Sequence, residues 1–212
     1  MRNTRFDQMS AIVLGALIFT LTGCGGSAPS KFYQLSSLET QSMVSRDISP
    51  EHSLIVAVGP VRMPDYLDRP QIVTRSGKNE LTLAEFDRWG GSLDNDVVRV
   101  LAADISAMLP ADRFFVSQWS PILDSQVPVS YRVEVLADRF EGALGGSVTL
   151  RAQWAIFGKD KVLLFKKEST ISEQANDNSY DALVDAMSKT LERLSREISS
   201  AISSSGQQTL AK

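Results

Sequence analysis

The chain has 212 residues, of which 43% are hydrophobic and 22% charged, and its formal net charge is −3 at pH 7. This length and composition favour one ordinary folded domain with a substantial core. A mildly acidic chain without basic clusters argues against nucleic acid as a partner. One histidine and one cysteine cannot build the usual zinc or redox site, so no metal or cofactor is expected.

The first residues have the pattern of an export signal. Two arginines lie within residues 1–10, and an uncharged apolar run of eleven residues follows over 11–21. A membrane-spanning helix needs about 20 apolar residues, whereas a basic start, a short apolar run and small residues before a cleavage point are typical of a signal peptide. We therefore predict a signal peptide over 1–23, with Cys24 as the first residue of the mature chain.

Three roles compete for Cys24, the only cysteine. A disulfide needs a second cysteine, and a catalytic thiol needs a nearby base, for which the sequence offers only His52. The stretch LTGC, residues 21–24, resembles the lipobox of bacterial lipoproteins, in which the thiol becomes a thioether to diacylglycerol and the new amino terminus is N-acylated. Several acyl chains give stable membrane anchoring, because each buried methylene contributes about 0.8 kcal/mol.

The residue after the cysteine, Gly25, bears on the membrane that holds the anchor. In Gram-negative bacteria an aspartate at this position commonly retains a lipoprotein in the inner membrane, so the lipobox resemblance implies the outer membrane. Residues 24–30 are predicted to be a lipidated tether. The six residues after Cys24, GGSAPS, reach about 20 Å when fully extended, so the folded part must stay close to its membrane.

Apolar patterns in the first half predict strands followed by a helix. The strands are expected at 31–35, at 53–61, and as a hairpin of 71–75 with 80–84 across the turn 76–79. A helix is predicted over 92–109, with Ser92 as N-cap, Asp94 and Asp96 at the positive end of the dipole, and Pro110 after its end. Its apolar face consists of Leu93, Val97, Leu101, Ile105 and Met108.

The second half predicts an antiparallel meander and a long helix. Alternating apolar residues place strands at about 129–135, 148–156 and 162–172, the last two joined by the turn GKDK. The helix is expected over 179–203, capped by Asn178 or Ser179, with Gly206 beyond its end and a disordered tail over 206–212. Its stripe comprises Tyr180, Leu183, Val184, Met187, Leu191, Leu194, Ile198 and Ile202. The stripe is expected to be core, although its near-heptad spacing also suits self-association.

These elements predict one domain over residues 31–205. Its fold class is α+β, a two-layer sandwich in which two main helices cover a mostly antiparallel mixed sheet.

No enzyme pattern is found. A serine nucleophile would depend on His52, which is expected at the surface, and no G-x-S-x-G elbow occurs. The glycines before the first helix do not indicate a phosphate site, because the two aspartates in its first turn would repel an anion. Asp65 and Asp68 could serve as paired carboxylates in glycoside hydrolysis, but their neighbours give no sign of a buried acid. We expect no catalytic residues.

Two features are candidate binding surfaces. The segment RMPDYLDRPQIVTR, residues 62–75, carries Tyr66 and Leu67, expected to be exposed, between two prolines; the alternative is a simple loop entering an edge strand. The loop EGALGG, residues 141–146, is read as long and flexible with an apolar tip at Ala143 and Leu144; the alternative is an ordinary turn.

Several stretches together resemble the PqiC-type ABC-transport auxiliary lipoproteins. They are the lipobox, KFYQL, VGPVRMPDYLDRPQIVTR, AEFDRWGGSL leading into VVRVLAADISAMLP, and GSVTLRAQWAIFG. The similarity spans nearly the whole mature chain, and YLDRPQIVTR followed by EFDRW is its most specific part. Gly90 and Gly91 depart from the residues expected there, which affects only the local turn.

The resemblance implies an outer-membrane lipoprotein that faces the periplasm and lacks catalytic residues. Its partner would be a PqiB-like protein with MCE domains that spans the periplasm as a hydrophobic tube, with a PqiA-like integral membrane protein completing a lipid transport system that supports the envelope. A homo-oligomeric ring is a further expectation. The predicted partner contacts are Tyr66, Leu67, Asp68 and Arg69, with Trp89 shaping the adjacent surface and Ala143 and Leu144 as a second contact. The alternative is a binding or assembly lipoprotein of another envelope system.

Overall fold

The computed structural model of the protein describes residues 28–38, 54–122 and 127–209. The predictions for the signal peptide, Cys24, Gly25 and His52 concern residues outside these ranges. Within them the chain forms eight strands and two long helices. In chain order these are β1 (Lys31–Tyr33), β2 (Leu54–Arg62), β3 (Gln71–Arg75), β4 (Leu81–Trp89), α1 (Leu93–Met108), β5 (Phe114–Gln118), β6 (Tyr131–Gly142), β7 (Ser147–Phe157), β8 (Leu163–Gln174) and α2 (Tyr180–Thr209).

The strands form two sheets. The larger sheet has the order β5-β2-β6-β7-β8, in which β2 pairs in parallel with β5 and β6, and β6, β7 and β8 form the predicted antiparallel meander. The smaller sheet has the order β1-β4-β3, with β3 and β4 as the predicted hairpin and β1 parallel to β4. The α+β fold class is confirmed, but the strands divide between two sheets where one was predicted.

Strand β5 was not predicted from the sequence. It has five residues, its apolar run is only three residues long, and three of its five side chains are half-buried. Its register, Leu54 opposite Phe114, makes it an edge strand parallel to β2. A strand of this kind depends on pairing with its neighbour more than on its own pattern, because strand preference largely reflects packing against neighbours.

Both helices pack on the larger sheet and on each other. Helix α1 contacts β2 and β5, and α2 contacts β6, β7, β8 and α1. Along α2 the predicted stripe is buried from Leu183 to Ile202, and only Tyr180 is half-buried. In α1 the predicted face is buried except for half-buried Met108, and Val100 and Asp104 are buried as well. Helix periodicity therefore identified most of the core.

The helix ends differ from prediction in two details. Ser92 occupies the N-cap position of α1, but its hydroxyl bonds to the Asp94 carboxylate and caps no backbone N–H. Ser179 caps α2 as expected, because its hydroxyl accepts the N–H of Ala182 at 3.1 Å. Helix α2 continues to Thr209, so Gly206 lies inside it. A single glycine weakens a helix by about 1 kcal/mol and need not end one.

Candidate partner-binding surface

The predicted binding segment connects β2 to β3 through one turn of 3-10 helix, Asp65–Leu67. Backbone N–H groups fix this turn: Leu67 donates to Pro64 O at 2.9 Å and Asp68 to Asp65 O at 3.1 Å. Leu67 is only 3% exposed and packs in the core, so the prediction that it is exposed is wrong. Asp65 and Asp68 are exposed, and Tyr66 and Arg69 are half-buried. The segment therefore presents its acids to solvent over an apolar base.

The side chain of Tyr66 connects the binding segment to the other predicted feature, the segment 141–146. Its phenol donates to Oε2 of Glu141 at 2.8 Å, and Glu141 lies at the end of β6, just before the loop that was predicted as a second contact. Burial and this hydrogen bond raise the pKa of Tyr66 to about 12. The phenol therefore remains a neutral donor at physiological pH. The two features that the sequence singled out separately lie at one end of the fold.

Glu141 is a fully buried carboxylate, with 0% exposure, at the centre of a small network. Arg75 Nε donates to its Oε1 at 2.7 Å, Arg139 Nε lies 3.0 Å from the same oxygen, and the N–H of Phe140 donates to Oε2 at 3.1 Å. The bond to Glu141 also raises the pKa of Arg75. A buried charge is tolerated when it is paired and hydrogen-bonded. The network joins β3, β6 and the 3-10 turn.

The loop after Glu141 is short and closely packed. Glu141 and Gly142 belong to β6, and only residues 143–146 form the turn. Gly145 has φ +64°, and a Cβ there would lie 1.7 Å from Oδ1 of Asn178. The glycines therefore allow a close approach of chains, and the expectation of a long flexible loop is wrong. Ala143 is half-buried, whereas Leu144 remains exposed.

Trp89 belongs to the core. It is 5% exposed, and its backbone N–H donates to Pro70 O at 2.7 Å. It supports the binding segment from beneath and cannot form part of the adjacent surface, so that prediction is wrong. Its burial reflects its place at the end of β4, where the chain turns into α1.

A cleft of about 290 Å³ lies beside the exposed side of the 3-10 turn. Its apolar lining comes from Val61, Met63, Leu67 and Leu93. Its charged lining comes from Arg62, Asp65, Asp68 and Asp94. We call this feature the Asp68 cleft. Three carboxylates against one guanidinium give it an acidic rim, which complements a basic or amide-bearing side chain of a partner.

The N-terminal segment is fastened to both helices by bonds that the sequence analysis did not anticipate. Leu35 N–H donates to Asp96 Oδ2 at 2.7 Å, and Leu38 N–H donates to Asp104 Oδ1 at 2.7 Å. Ser36 N–H donates to Ser188 Oγ of α2 at 3.0 Å. Asp96 therefore does more than complement the helix dipole. The chain that leads from the predicted tether is tied down within a few residues of β1.

Asp104 is almost fully buried, and burial raises its pKa to about 6, partly opposed by the Leu38 N–H and by Arg99 and reinforced by Glu192. Its native pKa lies above the ordinary aspartate value of 3.8, so the native state holds the proton more tightly than the unfolded state does. The stabilisation of the native state by this tighter proton binding is fully present below pH 3.8 and is lost as the pH rises through about 6.

We therefore expect replacement of Asp104 by asparagine to change the pH dependence of stability. Between pH 4 and 7.5 the unfolding free energy of the wild type should fall relative to Asp104→Asn by about 2.5 kcal/mol, since one pKa unit corresponds to about 1.4 kcal/mol and part of the contribution is already lost at pH 4. Urea denaturation across this range measures the difference, with exposed Asp112→Asn as control. Parallel curves for the wild type and Asp104→Asn would contradict the assignment.

Residues 28–38, 54–122 and 127–209 contain no group of three or more His, Cys, Asp or Glu side chains placed to hold a metal ion. In the same ranges, neither helix combines the length and the apolar character that crossing a membrane requires.

The model of the family described as ABC-type transport auxiliary lipoprotein component matches residues 33–199, which include the 3-10 turn, Glu141 and both helices up to Ser199. The chain belongs to this family. The resemblance seen in the sequence motifs is confirmed.

Members of this family serve transport systems as non-catalytic auxiliary lipoproteins. This chain is accordingly a membrane-associated auxiliary lipoprotein of a transport system and is not an enzyme. It is 24% identical over 183 residues to the intermembrane transport lipoprotein PqiC of Escherichia coli (strain K12) and to that of Shigella flexneri, covering 84% of this chain and 91% of each relative.

Solved structures share the fold of this auxiliary lipoprotein. A crystal structure of a protein from Xanthomonas campestris superposes with a TM-score of 0.65 at 14% identity, covering 86% of this chain and 100% of that one. A second, of an uncharacterized protein, has a TM-score of 0.65 at 19% identity, covering 82% and 99%.

Proposed function

We propose that this chain is an outer-membrane lipoprotein, anchored through acyl groups on Cys24, that docks with a PqiB-like MCE-domain tunnel protein. In this role it is the periplasm-facing auxiliary subunit of an intermembrane lipid transport system that includes a PqiA-like membrane protein. The observation that carries the proposal is the similarity to the intermembrane transport lipoprotein PqiC over 84% of the chain. The lipobox at 21–24 and Gly25 support the anchor and its membrane.

The tether limits how docking can occur. Six residues between Cys24 and β1 reach about 20 Å, and the segment after β1 is bonded to Asp96 and Asp104 of α1. The domain therefore has little freedom to move away from its membrane. A partner that spans the periplasm must come to this surface, where the domain receives the end of a tube.

The Asp68 cleft is the surface best suited to docking. Its turn is held by backbone bonds and by the bond from Tyr66 to the buried Glu141, so binding requires little ordering of the chain. The acidic side chains at its rim are exposed, and the apolar residues beneath them are fixed in the core. Of the predicted contact residues, Asp68 at the cleft, its neighbour Arg69, and Ala143 and Leu144 at the β6–β7 turn remain candidates for direct contact. Tyr66 supports the turn.

Charge reversal tests this docking surface without disturbing the core. Asp68→Lys should reduce co-purification of the MCE protein at least tenfold, because an attractive charge becomes repulsive in a partly desolvated interface. Glu85→Lys, at an exposed position of β4, is the matched control and should co-purify normally. Unchanged unfolding of both variants in urea establishes that the fold is intact. Normal co-purification of Asp68→Lys would contradict docking at this cleft.

A further inference from the structure

The hairpin between β7 and β8 ends in an exposed apolar tip. Residues 158–167 have the sequence GKDKVLLFKK, and a single 3-10 turn, Lys159–Lys161, joins the strands. The four apolar side chains are exposed by 56% (Val162), 53% (Leu163), 46% (Leu164) and 36% (Phe165). Soluble domains rarely expose contiguous apolar side chains in this way, and those that do use them for contact. The patch lies far along the chain from the Asp68 cleft.

The apolar residues occupy both faces of the strand. Successive strand residues point to opposite sides of the sheet. Phe165 stacks on Trp154, with ring centroids 5.1 Å apart, whereas Leu164 lies against the position of Gly158. β8 is also the outermost strand of the larger sheet, so its outer edge has no neighbouring strand among the described residues. A groove on a folded partner would cover only one of these two faces of β8. The apolar interior of a lipid bilayer is fluid and would cover both.

Lysines surround the apolar tip. Lys159, Lys161, Lys166 and Lys167 flank it, with Asp160 as the only acid in 159–167, which gives this segment a net charge of +3 in a chain whose net charge is −3. Lys167 is paired with Glu197 at 2.9 Å. In the part of the chain that the structure describes, no ion pair engages the other three lysines. Apolar residues ringed by lysines complement the interface of an anionic bilayer.

We propose that the tip, residues 158–167, inserts its apolar side chains into the interfacial region of an anionic lipid bilayer, with its lysines at the headgroups. The bilayer is the one that holds the Cys24 anchor, and that part rests on the proposed function. Without an anchor, three or four lysines and four apolar residues bind only weakly. A covalent tether keeps the tip at high effective concentration beside the surface and makes weak insertion sufficient.

Strand register places the tip and β1 at opposite ends of the domain. Phe157, just before the tip, pairs with Arg132 near the start of β6. Glu141 lies near the other end of β6, where it binds Tyr66. The cleft beside Tyr66 also contains Leu93, at the start of α1. β1 lies next to Trp89, just before that helix. β6 has 12 residues and spans about 40 Å.

A fluorescent probe measures tip insertion in the intact lipoprotein. The full acylated chain carrying Leu163→Cys, labelled with an environment-sensitive dye, is reconstituted into vesicles of phosphatidylethanolamine with phosphatidylglycerol or of phosphatidylcholine alone. The matched control is Leu144→Cys at the opposite hairpin, and wild-type protein measures labelling at Cys24. We expect the dye at 163 to shift to the blue and to resist an aqueous quencher on anionic vesicles only, and the dye at 144 to stay in water.

Charge reversal separates electrostatic from purely apolar binding. Each lysine near an anionic surface favours binding about fivefold, so Lys161→Glu with Lys166→Glu should reduce the inserted fraction at 163 at least tenfold. Lys78→Glu, in the exposed turn between β3 and β4, should leave it unchanged. Three results would overturn the proposal: a probe at 163 that stays in water, an equal shift on neutral vesicles, or burial that appears only when a second protein of the transport system is added. Docking at the Asp68 cleft is measured independently by co-purification, so failure of tip insertion and failure of docking are distinguishable.

Discussion

Replacing Glu141 with alanine is expected to lower the free energy of unfolding by about 3 kcal/mol. Removing one member of a buried ion pair typically costs about 3–5 kcal/mol, because the remaining charge loses its partner. The side chains of Arg75 and Arg139 are 23% and 35% exposed, so they regain some hydration and the lower end of that range applies. Folded domains are stable by only about 5–15 kcal/mol, so this is a large change. Equilibrium unfolding in urea measures it.

Matched variants identify the cause of that loss. Glu85→Ala removes an exposed carboxylate from β4 and should change stability by less than about 0.5 kcal/mol. Tyr66→Phe removes one hydrogen bond to a charged acceptor and should cost about 1.5–3 kcal/mol. An effect of Glu141→Ala no larger than that of Glu85→Ala would show that the network contributes nothing to stability.

Replacing Gly25 with aspartate is expected to move the mature protein from the outer to the inner membrane. The lipobox resemblance implies that the residue after the acylated cysteine selects the membrane. The substitution at this residue is expected to leave acylation of Cys24 unaffected. Density separation of the membranes of an Escherichia coli host, followed by quantification of the protein in each fraction, measures the distribution. Most of the wild type should be found with the outer membrane and most of Gly25→Asp with the inner membrane.

Two further variants serve as controls for that experiment. Gly25→Ser preserves a small uncharged residue after Cys24 and should remain in the outer membrane. Cys24→Ser removes the acylated thiol, and it should accumulate as a precursor that retains residues 1–23, which a mass measurement detects. Outer-membrane recovery of Gly25→Asp equal to that of the wild type would contradict the proposed sorting.

Periodicity predicted the parts of the fold whose apolar residues face one side. The stripe along α2 and the alternation in β6 and β7 depend on local spacing, which the sequence displays directly. β5 lacks such a signal, because its stability comes from pairing with β2. The division into two sheets depends on contacts between distant segments, such as β1 with β4.

The candidate surface was harder to predict, because its important contacts are long-range. Tyr66 and Arg75 look like surface residues of a polar loop until β6 brings Glu141 beside them. No local pattern marks Glu141 as buried. A bulge between Ala137 and Arg139 shifts the core-facing phase of β6 to Phe140, so Glu141, opposite Thr149, lies on the other face and is buried by the long-range contact with β3.

Cross-linking from the Asp68 cleft in living cells tests docking at the outer membrane most sharply. A photo-reactive amino acid replaces Asp68 in the full lipoprotein, and the same residue at Glu85 is the control. Irradiation should join position 68 to the MCE protein at high yield and position 85 to it weakly or not at all. Equal yields at both positions, or capture at position 68 of a protein from an unrelated envelope system, would contradict the proposed docking.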